Sequence, residues 1–315
     1  MGKSRILHVI STLACVLIAC AGLFIITERS SKKTLNTMIE EEVDNLIKSV
    51  QNSVEAYNYS NFATIHIAAT IPIIRDPNVS IKEKAEQLFG VKNADPNLVG
   101  LNITDLKGNS YLVEGPMYNF SERAYFKNAL NGKETVFGPI NNKVTNIPTI
   151  FYGAPLYDDD GNLINTFFLA AHGETLSKIC EQNRIGVDGK AVIIRRTTGL
   201  VIADIDEDAI LKNNAYDDAA DSGVKELQRI TTDIAAGESG FAFIKLPDGS
   251  TVINGYAPIN GTDWSIIVRA NYADFTAPLK HQRLLVILFS AIVLVLSGAI
   301  SFFTYGKKQA SAKSE

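Results

Sequence analysis

Two apolar runs decide most of what this chain can fold into: residues 6–27, ILHVISTLACVLIACAGLFIIT, and residues 284–305, LLVILFSAIVLVLSGAISFFTY. Neither contains Asp, Glu, Lys or Arg, and neither leaves the polar stripe that a helix in a water-soluble core would show. At about 1.5 Å of rise per residue, each can cross a hydrocarbon layer roughly 30 Å thick. Both are expected to be membrane spans. A cleavable signal peptide would have a shorter apolar core and a small-x-small cleavage site. Leu17-Ile18-Ala19-Cys20 has the look of a lipoprotein processing site, but the chain stays apolar past Cys20, so the first run reads as an uncut anchor.

Charge orients the chain. Lys3 and Arg5 precede the first run, and Lys307, Lys308 and Lys313 follow the second, whereas the long stretch between the two is acidic. Short basic tails stay in the cytoplasm while a long acidic region crosses readily. Both termini are therefore expected inside and residues 28–283 outside. The net charge of −4 gives no reason to expect nucleic acid as a partner. Of three cysteines, Cys15 and Cys20 fall in the first run, which leaves Cys180 without an internal disulfide partner in the exported region and reads as a buried thiol.

From residue 28 to 69 there is no proline or glycine, and Leu35, Ile39, Val43, Leu46, Val50, Val54 and Tyr57 recur at steps of three and four. That spacing predicts a long helix, ended by Pro72, whose stripe packs either on its own domain or against a second copy. Run together with the first span it would make a rod of about 90 Å. Beyond it, short strands alternate with tight turns. LVGLNIT-DLKGN-SYLVEG and PTIFYGAPLY-DDDGN-LINTFFLAA read as hairpins, with a helix between them capped by Ser121 and stopped at Asn131-Gly132. Helices are expected near 174–180, 206–211 and 224–235. KAVIIRR-TTG-LVIAD and GFAFIKL-PDGS-TVINGYAPI-NGTD-WSIIVRA supply further hairpins. Asn131-Gly132-Lys133-Glu134 before Tyr152-Gly153-Ala154-Pro155 matches Ala236-Gly237-Glu238 before Tyr256-Ala257-Pro258, which indicates two tandem modules.

The run Ser121-Glu122-Arg123-Ala124-Tyr125-Phe126-Lys127-Asn128-Ala129-Leu130, followed by Gly132-Lys133, Gly138-Pro139 and the strand at 152–156, resembles the double Cache sensor family, as does GVDGKAVIIRRTTGLVIAD at 186–204. The resemblance implies an α+β fold: a long N-terminal helix, then two tandem PAS-like antiparallel-sheet modules, flanked by two transmembrane helices. The boundaries it implies are a tail at 1–5, a span at 6–27, a stalk at 28–72, a membrane-distal module at 73–183, a membrane-proximal module at 184–277, a helix and span at 278–305, and a tail at 306–315. It further implies a bacterial receptor of the chemoreceptor or sensor-kinase type, with a small molecule bound in the distal module. The family's amino-acid binders hold the ligand carboxylate with an arginine and the aromatics after it, positions matched here by Arg123, Tyr125 and Phe126, with Tyr118 upstream. Tyr152 and His172 complete the expected contacts. The match stops at Ile140, where those binders have a tyrosine, and at Ala170, where they place the aspartate that receives the amino group.

Arginine offers a planar fork of donors suited to carboxylate or phosphate, and aromatic rings around it exclude water. A small organic anion fits what remains. Nothing calls for a cofactor, metal or catalytic centre: no Cys/His cluster has zinc spacing, and Asp204-Ile205-Asp206-Glu207-Asp208 lacks the glycine and closing glutamate of a calcium loop. After Tyr305 only GKKQASAKSE follows, so the chain is expected either to be a truncated receptor or to work by pairing with another membrane protein, with a homodimer formed along the stalk. The alternative is a membrane-tethered binding or adaptor protein that presents solute to another complex.

Overall fold

The computed structural model describes residues 2–111, 117–142 and 145–311. Lys313 and most of the SYLVEG arm, residues 112–115, lie outside them, as do the side chains of Lys3, Arg5, Lys307 and Lys308. The chain divides into two compact units, one formed by residues 1–42 and 272–315, the other by Val43–Asn271.

Helix α1 (Gly2–Ala69) is a single 68-residue element, so the apolar run and the heptad-like stripe do join. Within the first unit it lies beside α8 (Ala277–Ser311). Glu28 and Arg283 pair at 2.7 Å, Tyr272 donates to Asn36 Oδ1 at 2.9 Å, and the small Gly298 lets Leu13 approach. Both helices are long and apolar enough to cross a membrane.

In the second unit α1 is followed by the short α2 (Pro72–Arg75), which Pro72 opens, and by α3 (Ile81–Ala94). Ser80 and Glu83 satisfy each other's backbone at the start of α3, a reciprocal capping box. Then come β1 (Leu98–Thr104), β2 (Asn109–Tyr111), β3 (Met117–Asn119), α4 (Ala124–Leu130), β4 (Thr135–Asn141), β5 (Pro148–Tyr157), β6 (Leu163–His172) and α5 (Glu174–Gln182). The second half holds β7 (Arg184–Ile185), β8 (Gly189–Arg195), β9 (Val201–Ala203), α6 (Ala215–Asp221), α7 (Lys225–Ala236), β10 (Gly240–Lys245), β11 (Thr251–Pro258) and β12 (Trp264–Asn271).

Two antiparallel sheets result, ordered β1-β6-β5-β4 and β7-β8-β12-β11-β10, with β9 also paired to β8. The repeat read in the sequence is therefore a repeat in space. In each half a helix, α4 or α7, ends at a glycine of positive φ, Gly132 or Gly237, and leads into a three-stranded meander. The last strand of each meander then pairs with an early strand of its own half, β6 with β1 and β12 with β8. Some local expectations needed correction. The arm after β1 pairs with β3 as a separate two-stranded ribbon. Residues 206–211 make only a 3-10 turn at Glu207–Ala209, and an unanticipated helix, α6, follows, its first amides held by the Asn214 side chain. Cys180 is buried, and that burial pushes its thiol up to about 12.

From Val43 onward α1 is a spine for both sheets. Gln51 donates to the Pro258 carbonyl at 2.6 Å, while farther along Asn58 accepts from the Tyr152 hydroxyl at 2.7 Å. Gly255 makes the close approach to the spine possible, because any Cβ there would come within 2.3 Å of Val43. The sheets are also joined directly: the Trp264 indole donates to the Gly138 carbonyl at 2.9 Å and Arg195 to the Pro139 carbonyl at 3.0 Å.

Candidate functional site

In a β-strand successive side chains point to opposite faces, and this alternation builds the site on the first sheet. Tyr152 of β5 turns towards α1, where its ring meets Phe62 edge-on at 5.3 Å. Its neighbour Phe151 turns the other way. Phe151 is in register with Ala170 of β6, and Ala170 with Gly100 of β1; in the next row Gly153 faces Phe168 and Phe168 faces Asn102. Two small residues in the middle of this face, Gly100 and Ala170, leave depth above the backbone. A cavity of about 360 Å³ lies there, a volume in the range of small-molecule sites.

The opposite wall is the segment with the arginine between tyrosines. Helix α4 packs on β5 at Gly153, where an added Cβ would stand 2.7 Å from the Tyr125 carbonyl oxygen. That contact sets Tyr125 flat against Phe151, with ring centroids 5.4 Å apart and planes 7° from parallel. Upstream, the Asn119 side chain donates to the Lys107 carbonyl and accepts from the Ser121 amide and hydroxyl, so the ribbon of β2 and β3 holds the approach to the helix. Ser121 is therefore not the cap expected of it. Arg123 occupies the N-cap position and makes no capping bond through its side chain.

Of the six expected contacts, Tyr118, Arg123 and Tyr125 line the cavity together. Arg123 is half-buried, and its guanidinium has no hydrogen bond or ion pair among the described residues. Tyr125 is only 2% exposed; burial pushes its hydroxyl up to about 12 against the opposing pull of Arg123. Tyr118 stands at the mouth, 37% exposed. The other three are not among the lining residues. Phe126 packs into the aromatic cluster with Tyr125 and Phe168, and Tyr152 lies on the far face of the sheet. His172 has its carbonyl engaged by the Tyr57 hydroxyl at 3.1 Å. Sequence reading missed Phe120, Phe151, Phe168 and Asn102, all at the cavity. The signal for Phe151 and Phe168 was present in the strand alternation, once the face carrying α4 is known. Among the described lining residues Arg123 is the one formal charge, and none is a carboxylate. The described residues include no cluster of three or more His, Cys, Asp or Glu able to hold a metal ion.

Two tandem sheets along one helix, with an aromatic cavity under a short helix of the first, define a sensory ligand-binding module flanked by apolar helices. The chain belongs to the Cache domain family, whose dCache_1 model matches residues 28–279. No curated protein matches the sequence. Similar solved structures include the ligand-binding domain of the Pseudomonas fluorescens chemoreceptor CtaA in complex with L-isoleucine, at 14% identity and a TM-score of 0.59, covering 80% of this chain and 98% of that one. The ligand-binding domain of Mlp24 with asparagine is similar at 15% identity and a TM-score of 0.58, covering 78% and 97%. The periplasmic sensory domain of the Campylobacter jejuni chemoreceptor Tlp1 follows at 10% identity and a TM-score of 0.55, covering 78% and 99%. At these identities the likeness establishes the fold.

Proposed function

We propose that this chain is a two-pass membrane sensor whose first module, residues 73–183, binds a small organic anion through Arg123 and Tyr125. One observation carries the reading: a half-buried guanidinium without a partner among the described residues faces a cavity walled by aromatic rings. A buried charge left unpaired costs several kcal/mol, and a carboxylate removes that cost with a bidentate, charge-assisted bond. The Tyr125 hydroxyl, which has no hydrogen bond among the described residues, adds a second donor. CtaA and Mlp24 were solved with amino acids. An amino acid would also bring an ammonium, and Ala170, with no described carboxylate at the cavity, gives it nothing to pair with. The ligand is accordingly an anion lacking an amino group, and the role is binding and signalling rather than catalysis.

Residues 6–27 and 278–305 anchor the protein, with both termini in the cytoplasm and the modules outside. A second copy pairs along α1, whose Tyr59 and Ile67 are largely exposed. Thermal unfolding of the full chain in detergent against organic acids, amino acids and amines tests the ligand class. A ligand at a hundredfold excess over its Kd adds about 2.7 kcal/mol of stability. Organic acids should raise the midpoint and Arg123→Ala should abolish the rise. A response confined to amines, or one unchanged by Arg123→Ala, would refute the assignment.

A further inference from the structure

The second module holds a cavity of its own, about 400 Å³, between its sheet and helices α6 and α7. Its floor is one face of the sheet. Asn254 of β11 is in register with Arg269 of β12, and Arg269 with Lys190 of β8, which sets three polar side chains in a row across the strands. On the same face lie Val192 and Ile267, and the helices contribute Ile230 and Ile234 as an apolar roof. A row of amide, guanidinium and ammonium beneath isoleucines is not how a sheet and a helix pair ordinarily seal a core.

The polar groups divide into those that are satisfied and those that are not. Lys190 gives its charge to the buried Asp204, at 2.7 and 2.8 Å to the two carboxylate oxygens. Arg269 Nε donates to Asn254 Oδ1 at 3.3 Å, which fixes which way round the amide sits. The Asn254 Nδ2 is thereby turned away without any hydrogen-bond partner, in a residue only 2% exposed. Arg269 is itself exposed, and its terminal nitrogens form no hydrogen bond or ion pair among the described residues. Asp218 also lines the cavity but does not come within ion-pair distance of Arg269. One buried donor, Asn254 Nδ2, is thus left without a partner beside an exposed guanidinium, at a chamber whose lining is part apolar and part polar, Asp206 and Asp218 included.

The geometry points to a second ligand site in this module, one that takes a short aliphatic carboxylate. The carboxylate accepts from Asn254 Nδ2 and the Arg269 fork, while the hydrocarbon tail packs under Ile230, Ile234 and Ile267. The site shares no residue with the first cavity, so it stands whether or not Arg123 binds an anion.

The test is calorimetric titration of the full chain in detergent with isovalerate, its neutral amide isovaleramide, and isobutylamine, carried out in an Arg123→Ala background. Isovalerate should bind with the first cavity disabled, whereas the amide and amine should not. Arg269→Gln should weaken isovalerate by about tenfold or more, as expected for loss of a charged hydrogen bond. Asn254→Asp conserves shape but replaces the donor with a carboxylate that pairs Arg269, and it should abolish binding while leaving the unfolding midpoint of the free protein no lower. No heat with isovalerate, equal binding of the amide, or isovalerate binding that survives Asn254→Asp would each overturn the proposal.

Discussion

Arg123 sits where a helix would ordinarily want a serine, an aspartate or an asparagine. At the N-terminus of α4 the free amides present positive charge, and an arginine there neither accepts from them nor offsets the dipole. Its placement costs the fold something and is explained by what lies in front of it. Arg123→Ser should therefore stabilise the unliganded protein by about 0.5–1 kcal/mol, read by thermal unfolding, while eliminating any anion-induced shift. Tyr125 supplies a prediction of its own. The fold raises its hydroxyl to about 12, mainly by burial, so the folded state favours the neutral phenol. An unfolded tyrosine ionises near 10, so this contribution is complete below about pH 10 and is lost as pH climbs from there towards about 12. Unfolding midpoints measured through that window should fall less steeply for Tyr125→Phe than for the parent.

At the scale of elements, α4 is held by a missing side chain. A methyl at residue 153 would meet the Tyr125 backbone oxygen at 2.7 Å and its Cβ at 2.8 Å, so α4 would have to lift from β5. Overpacking of this kind costs about 1–3 kcal/mol. Gly153→Ala should lower stability by that order in a denaturant titration and should also weaken anion binding, because Tyr125 and Arg123 move together. The elements themselves were largely legible in the sequence, because strand alternation and helical periodicity are local properties. Asn131-Gly132 marked the end of α4 for the same reason. What could not be read locally was pairing and facing. Asn109–Tyr111 folds back beside β1, where Ser110 donates to the Ile103 carbonyl, but takes Met117–Asn119 as its strand partner, and Ser121 answers to Asn119 instead of the helix. Tyr152 is expected as a ligand contact within the family resemblance. It is Phe151, one residue earlier, that shares a face with α4, and only the packing of that helix decides between them.

At the scale of the whole second unit, two bonds described above tie one sheet to the other, and Trp264 makes one of them. The indole is fully buried and its N–H is satisfied by the Gly138 carbonyl, at the edge strand of the other sheet. Trp264→Phe would leave that carbonyl without its donor and open a void, at a cost of about 1–3 kcal/mol. Differential calorimetry should show the loss as a transition that broadens or splits, because the link removed lies between modules and not within either.

The strand β5 has one last consequence. Phe151 is a wall of the cavity and Tyr152, joined to it by a single peptide bond, is the residue that grips the spine at Asn58. Nothing compressible separates the two. Under the proposed function, a guest that displaced the Phe151 ring would also shift the Tyr152 hydroxyl, so the size and fit of the visitor would reach the long helix through one thickness of backbone.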